Sequence, residues 1–210
     1  KWGEAIDQDD EVQMLINAES EYTQAAAMAH GRQIDTILIG ALGGNATNGD
    51  DSTTALPAGQ KIGASDTAAN KLTVDLLREA RAKLNAAEVM GNRTLVLSSK
   101  GEQDLLEDPE FTSSDYTTRR LNAGVSPSDI AAGYLGFDRV VRTELLPLTT
   151  NTRHAYAYVD RCVGLGISSE RLTRIAEDPS LSFATRVYME LVMGAVRIEE
   201  EGVVEIEYYE

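Results

Sequence analysis

The stretch NAESEYTQAAAMAHGRQIDTILIGALGG, residues 17–44, predicts a single long helix. Asn17 or Ser20 can cap its N-terminus, and the neighbouring acidic residues suit the positive end of the helix dipole. An apolar stripe at helical spacing is formed by Ala27, Ile34, Ile37, Leu38 and Ala41. Gly43 and Gly44 then end the helix. A helix over about residues 18–42 would be roughly 35 Å long, so we expect it to serve as a spine.

The bulk composition is that of a soluble, acidic, globular protein. The chain has 210 residues, 42% of them hydrophobic and 25% charged, with a formal net charge of −15. This charge disfavours tight binding of nucleic acid, because phosphate contacts come from Lys and Arg. The one cysteine, Cys162, cannot form an internal disulfide. No apolar run approaches the length of a membrane span, and KWGEAIDQDD is not a signal peptide; we expect further residues upstream of Lys1.

The segment after the helix, residues 43–70, is small, polar and rich in glycine. A loop of this length within a compact domain is usually functional or disordered. We therefore expect it to mark the boundary between two lobes, with a short strand near QKIGA at residues 60–64.

The chain then alternates between helices and strands. Residues 72–92, LTVDLLREARAKLNAAEVMGN, predict an amphipathic helix with Thr73 as its N-cap. RTLVLSS, residues 93–99, predicts a buried strand. KGEQDLLED, residues 100–108, predicts a short helix capped by Ser99. A helix followed closely by a buried strand indicates a mixed α/β lobe.

The C-terminal half has the alternation of β-strands. GYLGFDRVVRTELLP (133–147) and HAYAYVDRCVGLGI (154–167) both predict strands. GAVRIEEEGVVEIEYYE, residues 194–210, predicts a terminal β-hairpin whose turn is EEEG, since Gly202 can adopt positive φ. Such a hairpin is barely stable alone, so another element must cover its apolar side.

No catalytic, cofactor or metal motif emerges from these patterns. GALGGNATNG follows a helix rather than a strand and lacks the ending of a phosphate loop. The acidic run at residues 7–11 lacks the glycine and closing glutamate of a calcium loop. On one strand His154 and Cys162 would lie roughly 27 Å apart, so we interpret both as ordinary packed residues. We expect no enzyme activity, no cofactor and no metal.

Three stretches in a particular order suggest a family. They are AxxxGRxxD on the long helix (Ala27, Gly31, Arg32, Asp35), Gly-Phe…Leu-Pro at Gly136, Phe137, Leu146 and Pro147, and GAVR…VVEI from Gly194 to Ile206. With the order of helices and strands around them, they resemble the major capsid protein of tailed double-stranded-DNA bacteriophages. The resemblance extends over almost the whole chain. It implies an α+β fold of the Hong Kong ninety-seven type.

The resemblance implies two lobes. Residues 1–70 and 172–210 would form a peripheral lobe with the spine helix, a narrow β-sheet and the C-terminal hairpin. Residues 71–171 would form an axial α/β lobe. The hairpin would lie along the spine helix and cover its apolar stripe. From the resemblance we expect the N-terminal arm and the extended loop of the family to lie outside these residues.

The implied function is structural. Copies of the chain would assemble into hexamers and pentamers of an icosahedral shell that encloses the viral DNA without binding it tightly. Scaffold, portal and decoration proteins are further expected partners, with no membrane, and the expected location is the virion after assembly in the host cytoplasm. The candidate structural and interface residues are Arg32, Asp35, Phe137, Pro147, Arg197, Glu205 and Glu207. We expect Glu205 and Glu207 to limit uncontrolled pairing of an edge strand.

Three other functions remain open from the sequence. An encapsulin-type compartment would use the same fold to hold proteins rather than DNA. An enzyme would need a convergent set of titratable groups in a pocket, which no sequence pattern indicates. An acidic binding module would stay monomeric at high concentration.

Overall fold

The computed structural model describes residues 2–6, 18–63, 70–108, 134–181 and 184–210. Contacts divide the chain into two compact units. The first takes in residues 1–38 and 165–195, and the second takes in residues 39–164 and 196–210. The α+β class predicted from the sequence is confirmed, because each unit contains both helix and sheet.

The described helices and strands are numbered here in chain order. The helices are α1 (Ala18–Gly43), α2 (Val74–Ala86) and α3 (Ser99–Glu107). The strands are β1 (Trp2–Ile6), β2 (Ala46–Thr47), β3 (Thr53–Thr54), β4 (Lys61–Gly63), β5 (Arg93–Leu97), β6 (Arg139–Arg142), β7 (Leu148–Thr149), β8 (Thr152–Val159), β9 (Val163–Asp178), β10 (Ala184–Arg197) and β11 (Val203–Tyr209).

Helix α1 has 26 residues and ends one residue beyond the predicted end. The backbone N–H of Gly44 donates to the Gly40 carbonyl at 2.9 Å and closes the last turn. Its buried residues are Ala26, His30, Ile39 and Leu42, whereas the predicted stripe is only half-buried. The predicted stripe was wrong in detail, since Ala27 lies one residue after the buried Ala26, and Leu38 and Ala41 each lie one residue before the buried Ile39 and Leu42.

The first unit contains a three-stranded sheet with the order β1-β10-β9. β1 runs antiparallel to β10, and Ile6 lies opposite Thr185. Ile6 and Val187 are buried and pack with Tyr22 of α1. One face of this sheet therefore contacts the helix.

The second unit contains a six-stranded sheet with the order β4-β11-β8-β5-β6, in which β7 also pairs with β8. β11 is antiparallel to β8 and parallel to β4, so Glu205 lies opposite both Tyr156 and Lys61. β5 is antiparallel to β8 and parallel to β6. A separate two-stranded sheet is formed by β2 and β3.

One hydrophobic core holds the second unit together. It includes Leu77 and Leu84 of α2, Leu95 of β5, and Ile206 and Tyr208 of β11. The Thr73 hydroxyl caps α2 as expected, by accepting a hydrogen bond from the Leu76 backbone N–H. Helix α3 is capped by the Ser98 hydroxyl rather than by the predicted Ser99.

The predicted C-terminal hairpin is wrong. β10 pairs with β1 and β9, while β11 pairs with β4 and β8. Alternation indicates that both segments are strands, but it does not select their partners. Glu205 and Glu207 both lie on the interior strand β11, so the prediction that they limit pairing at a sheet edge was wrong.

The compact units divide the chain at other points than the predicted lobes. Residues 43–63 belong entirely to the second unit, although they were expected to form a boundary. The reason is pairing at long range, because β4 adds to the sheet that contains β11 and β8.

Within the described residues, no helix is both long and apolar enough to cross a bilayer.

Candidate functional site

Arg197 at the end of β10 is buried and binds backbone carbonyls. Its Nη1 donates to the carbonyl oxygens of Leu42 at 2.8 Å and Gly44 at 2.7 Å, and its Nη2 donates to the Thr54 carbonyl at 3.1 Å. The last carbonyls of a helix carry partial negative charge and lack partners within the helix. The guanidinium thus holds the end of α1 and strand β3 against the end of β10.

The same helix end packs closely on the six-stranded sheet. A Cβ at Gly43 would overlap the Tyr156 hydroxyl, so only glycine allows this approach. Burial raises the pKa of Tyr156, and Glu205 beside it acts in the same direction. Tyr156 therefore stays neutral at physiological pH.

A charged cluster lies on the β8 and β11 strands of the second unit. His154 Nδ1 is 2.7 Å from Glu205 Oε1 and 3.8 Å from Glu207 Oε1. Lys61 Nζ lies 2.7 Å from Glu205 Oε2. Burial by itself would raise the pKa of Glu205, but hydrogen bonds from His154 and Lys61 outweigh it and hold that pKa below its usual value. The buried Glu205 is therefore ionised at neutral pH.

A second polar network gathers around the C-terminal residue of the sequence. Arg153 donates to both carboxylate oxygens of Glu210 at 2.6 Å. Ser98 Oγ donates to the same carboxylate and lies 2.8 Å from the Tyr208 hydroxyl. The Arg153 hydrogen bonds lower the pKa of Glu210, while burial raises the pKa of Tyr208 to about 12. This network joins β11 and β8 to the start of α3.

The three-stranded sheet leaves large apolar side chains exposed. We call Leu165, Ile167, Ile175, Leu181 and Val192 the exposed apolar set, because all are well exposed and lie on β9, on β10 or in their connection. Single exposed apolar residues are normal, but several on adjacent strands indicate an interaction surface.

The two sheets end in different kinds of edge strand. Among the described strands, β9 has 16 residues and lies at the edge of its sheet. The described edges of the six-stranded sheet are β4 with three residues and β6 with four. Short edges resist pairing with other chains, whereas a long edge offers a row of backbone donors and acceptors. The three-stranded sheet is therefore the better candidate for contacts between copies.

The candidate residues named from the sequence lie on several different elements of the structure. Arg32 and Asp35 are exposed on α1, and among the described ion pairs they do not pair with each other. Phe137 is fully buried. Pro147 is exposed, and its carbonyl accepts a hydrogen bond from the His154 backbone N–H at 3.0 Å. Glu205 and Glu207 come together in the charged cluster.

His154 and Lys61 were not predicted from the sequence as members of that cluster. His154 lies 51 residues from Glu205, and no local motif connects them. The only available signal was that Glu205 and Glu207 share one parity on a strand; the register with β8 supplies the rest.

The family comparison matches the chain from end to end. The family model described as phage capsid protein matches residues 1–210. No curated protein matches the chain in sequence.

Similar solved structures agree with the expected fold. A structure from Mycobacterium phage Che8 has a TM-score of 0.70 at 19% identity and covers 98% of this chain and 68% of its own. The capsid of Ralstonia phage GP4 has a TM-score of 0.71 at 10% identity and covers 99% and 72%. The SrpI encapsulin of Synechococcus elongatus PCC 7942 has a TM-score of 0.60 at 11% identity and covers 98% and 72%. The expected capsid fold is confirmed. Because the family model spans all residues and the fold agrees with it, the chain belongs to the phage capsid protein family and has a structural role in a capsid.

Proposed function

We propose that this chain is the major capsid subunit of a tailed double-stranded-DNA phage, and that its copies form hexamers and pentamers of an icosahedral shell. The observation that carries the proposal is the family match over residues 1–210. The role requires repeated contacts between copies and no catalysis. The net charge of −15 suits a capsid wall that faces DNA without binding it tightly.

In this proposal the first compact unit is the peripheral lobe and the second is the axial lobe. The first unit has most of the long helix and a narrow sheet, as a peripheral lobe would. The second has a central sheet with helices α2 and α3, as an axial lobe would.

Neighbouring copies would bind at the three-stranded sheet. The long edge of β9 offers backbone hydrogen bonds, and the exposed apolar set offers area to bury. Arg32, Asp35 and Pro147 are exposed and remain candidates for polar contacts between copies. Phe137, Arg197 and Glu205 are buried, so their proposed role is to support the fold.

Scaffold, portal and decoration proteins, and assembly in the host cytoplasm before incorporation into the virion, belong to the same proposal. They rest on the capsid family alone.

The test is expression of the complete reading frame, with and without a co-expressed scaffold, followed by light scattering and negative-stain electron microscopy. We expect capsomer rings or closed shells. Ile167→Lys should reduce assembly and leave a folded subunit, whereas Met90→Lys, a change at an exposed residue of the second unit, should assemble normally. A chain that stays monomeric at high concentration in both settings would refute the proposal in favour of an acidic binding module.

An encapsulin-type shell is the second candidate, because the SrpI encapsulin shares the fold at a TM-score of 0.60. The contents of the particles distinguish the two. Phage-type heads package nucleic acid and absorb strongly at 260 nm, while a compartment shell from its native host should contain protein.

A further inference from the structure

The charged cluster of the second unit has the composition and spacing of a cation site. His154 Nδ1 and one carboxylate oxygen from each of Glu205 and Glu207 lie within 4.8 Å of one another. Glu207 is directly opposite His154 in the β8–β11 register. Glu205 is two residues earlier on β11, so all three side chains share one face of the sheet.

The three side chains lie on interior strands, and two of them are partly exposed. β8 and β11 are both interior strands, paired on each side. The Glu205 side chain is 5% exposed, while those of His154 and Glu207 are 18% and 26% exposed. Two of the three ligands are therefore partly accessible from solvent, while the third is buried.

We propose that His154, Glu205 and Glu207 form a binding site for a divalent transition metal, with Zn²⁺ as the preferred ion. One imidazole and two carboxylates are ligands that Zn²⁺ accepts, at about 2.0–2.2 Å each. Tetrahedral bonds of that length put ligand atoms roughly 3.3–3.6 Å apart. The two separations from His154 Nδ1, 2.7 and 3.8 Å, bracket this value, and all three ligand atoms lie within 4.8 Å of one another, so side-chain adjustments on the order of 1 Å would complete the geometry. Water takes the fourth position.

Lys61 is the competing cation. Its ammonium lies 2.7 Å from Glu205 Oε2, yet the side chain is 42% exposed and can swing into water. The two charges of the bound ion then balance the carboxylates of Glu205 and Glu207. The buried Glu205 therefore still has a counter-ion after Lys61 has moved away. The ion binds His154 in the tautomer whose proton is on Nε2, so the hydrogen bond between Nδ1 and Glu205 is replaced by the metal ion.

The Lys61 contact gives the proposal an unusual test. Removal of Lys61 should tighten metal binding, because the ion no longer displaces a salt-bridge partner. In a cluster that is only an ion-pair network, the same change should leave Zn²⁺ affinity unaltered and merely lower stability.

The experiment is a titration of the folded protein with ZnCl₂ by isothermal calorimetry at pH 7.5, in a buffer that does not chelate metal. We expect one Zn²⁺ per chain, an increase in melting temperature, and with Co²⁺ the visible absorption of a tetrahedral site. Glu207→Gln should weaken binding at least about tenfold, Lys61→Met should tighten it about tenfold, and Glu107→Gln, at an exposed salt bridge elsewhere, should change nothing.

His154→Ala should abolish the Co²⁺ spectrum. If that variant does not fold, Glu207→Gln and Lys61→Met still decide the matter, because both change side chains that are partly exposed. Equal Zn²⁺ affinity in the native chain, Glu207→Gln and Lys61→Met would overturn the proposal and indicate adventitious binding to an acidic surface. Absence of one-to-one binding in the native chain and in Lys61→Met would also overturn it.

Discussion

Replacement of Arg197 by Met should destabilise the second unit strongly. Arg197 is 3% exposed and donates three hydrogen bonds of 2.7–3.1 Å to backbone carbonyls. Methionine retains much of the aliphatic stem, so the change removes mainly the guanidinium and leaves those carbonyls without their donor.

The magnitude follows from these bonds. A hydrogen bond to a charged group contributes about 1.5–3 kcal/mol. Three bonds made by one side chain are not additive, and water can reach some of the freed carbonyls. We therefore expect the free energy of unfolding to fall by about 3–5 kcal/mol, with a decrease in melting temperature of roughly 10 °C.

Urea denaturation followed by circular dichroism measures this loss. Arg186→Ala is the matched control, because Arg186 is 52% exposed and its ion pair with Asp178 spans 3.4 Å. Its cost should stay within about 0.5 kcal/mol. Arg197→Lys should fall between the two, since an ammonium cannot reproduce the planar fork. A loss below about 1 kcal/mol for Arg197→Met would show that the carbonyls find other donors and that Arg197 does not anchor the helix end.

Three further predictions concern local packing and titration. Gly43→Ala should lower the free energy of unfolding by about 1–3 kcal/mol, because the added Cβ meets the Tyr156 hydroxyl. Gly31→Ala should raise it by about 0.5–1 kcal/mol, because a Cβ there has no atom within 4 Å and alanine favours the helix. Thermal melts of both variants distinguish the steric effect from the general helix effect. Arg153 lowers the pKa of Glu210 from an ordinary value of 4.5, so the ionised Glu210 carboxylate stabilises the fold above that pH, and this contribution is lost as the pH falls through the lowered pKa. In the native protein the urea midpoint should therefore fall between about pH 5 and pH 3, and Glu210→Gln should make that fall shallower. An unchanged slope in the variant would contradict this. Burial raises the pKa of Cys162 to about 11, so a thiol reagent at pH 8 should label it only after unfolding, and rapid labelling of the native protein would refute its burial.

Local patterns in the sequence predicted the individual elements well. The long helix was expected at about residues 18–42 and spans Ala18–Gly43. Thr73 was expected to cap the next helix and does so. These features depend on neighbours within a few residues, through capping, spacing of apolar residues and helix-ending glycines.

Strand partners could not be predicted in the same way. GAVRIEEEGVVEIEYYE alternates correctly for two strands, yet β10 and β11 pair in different sheets. Alternation states which residues share a face of a strand, whereas pairing depends on which distant strand buries that face. The charged cluster is missed for the same reason, because His154 and Glu205 meet only through the β8–β11 register.

The sequence by itself determined the helices, the strand segments, the acidic surface and, through the order of its motifs, the capsid family. Tertiary structure alone decided that β11 is an interior strand, that Arg197 holds the end of α1, and that His154, Glu205, Glu207 and Lys61 form one cluster. Propensity and capping act over a few residues, so they can be read from the chain. The burial that selects one register from many acts between segments far apart in sequence, and it exists only once the chain has folded.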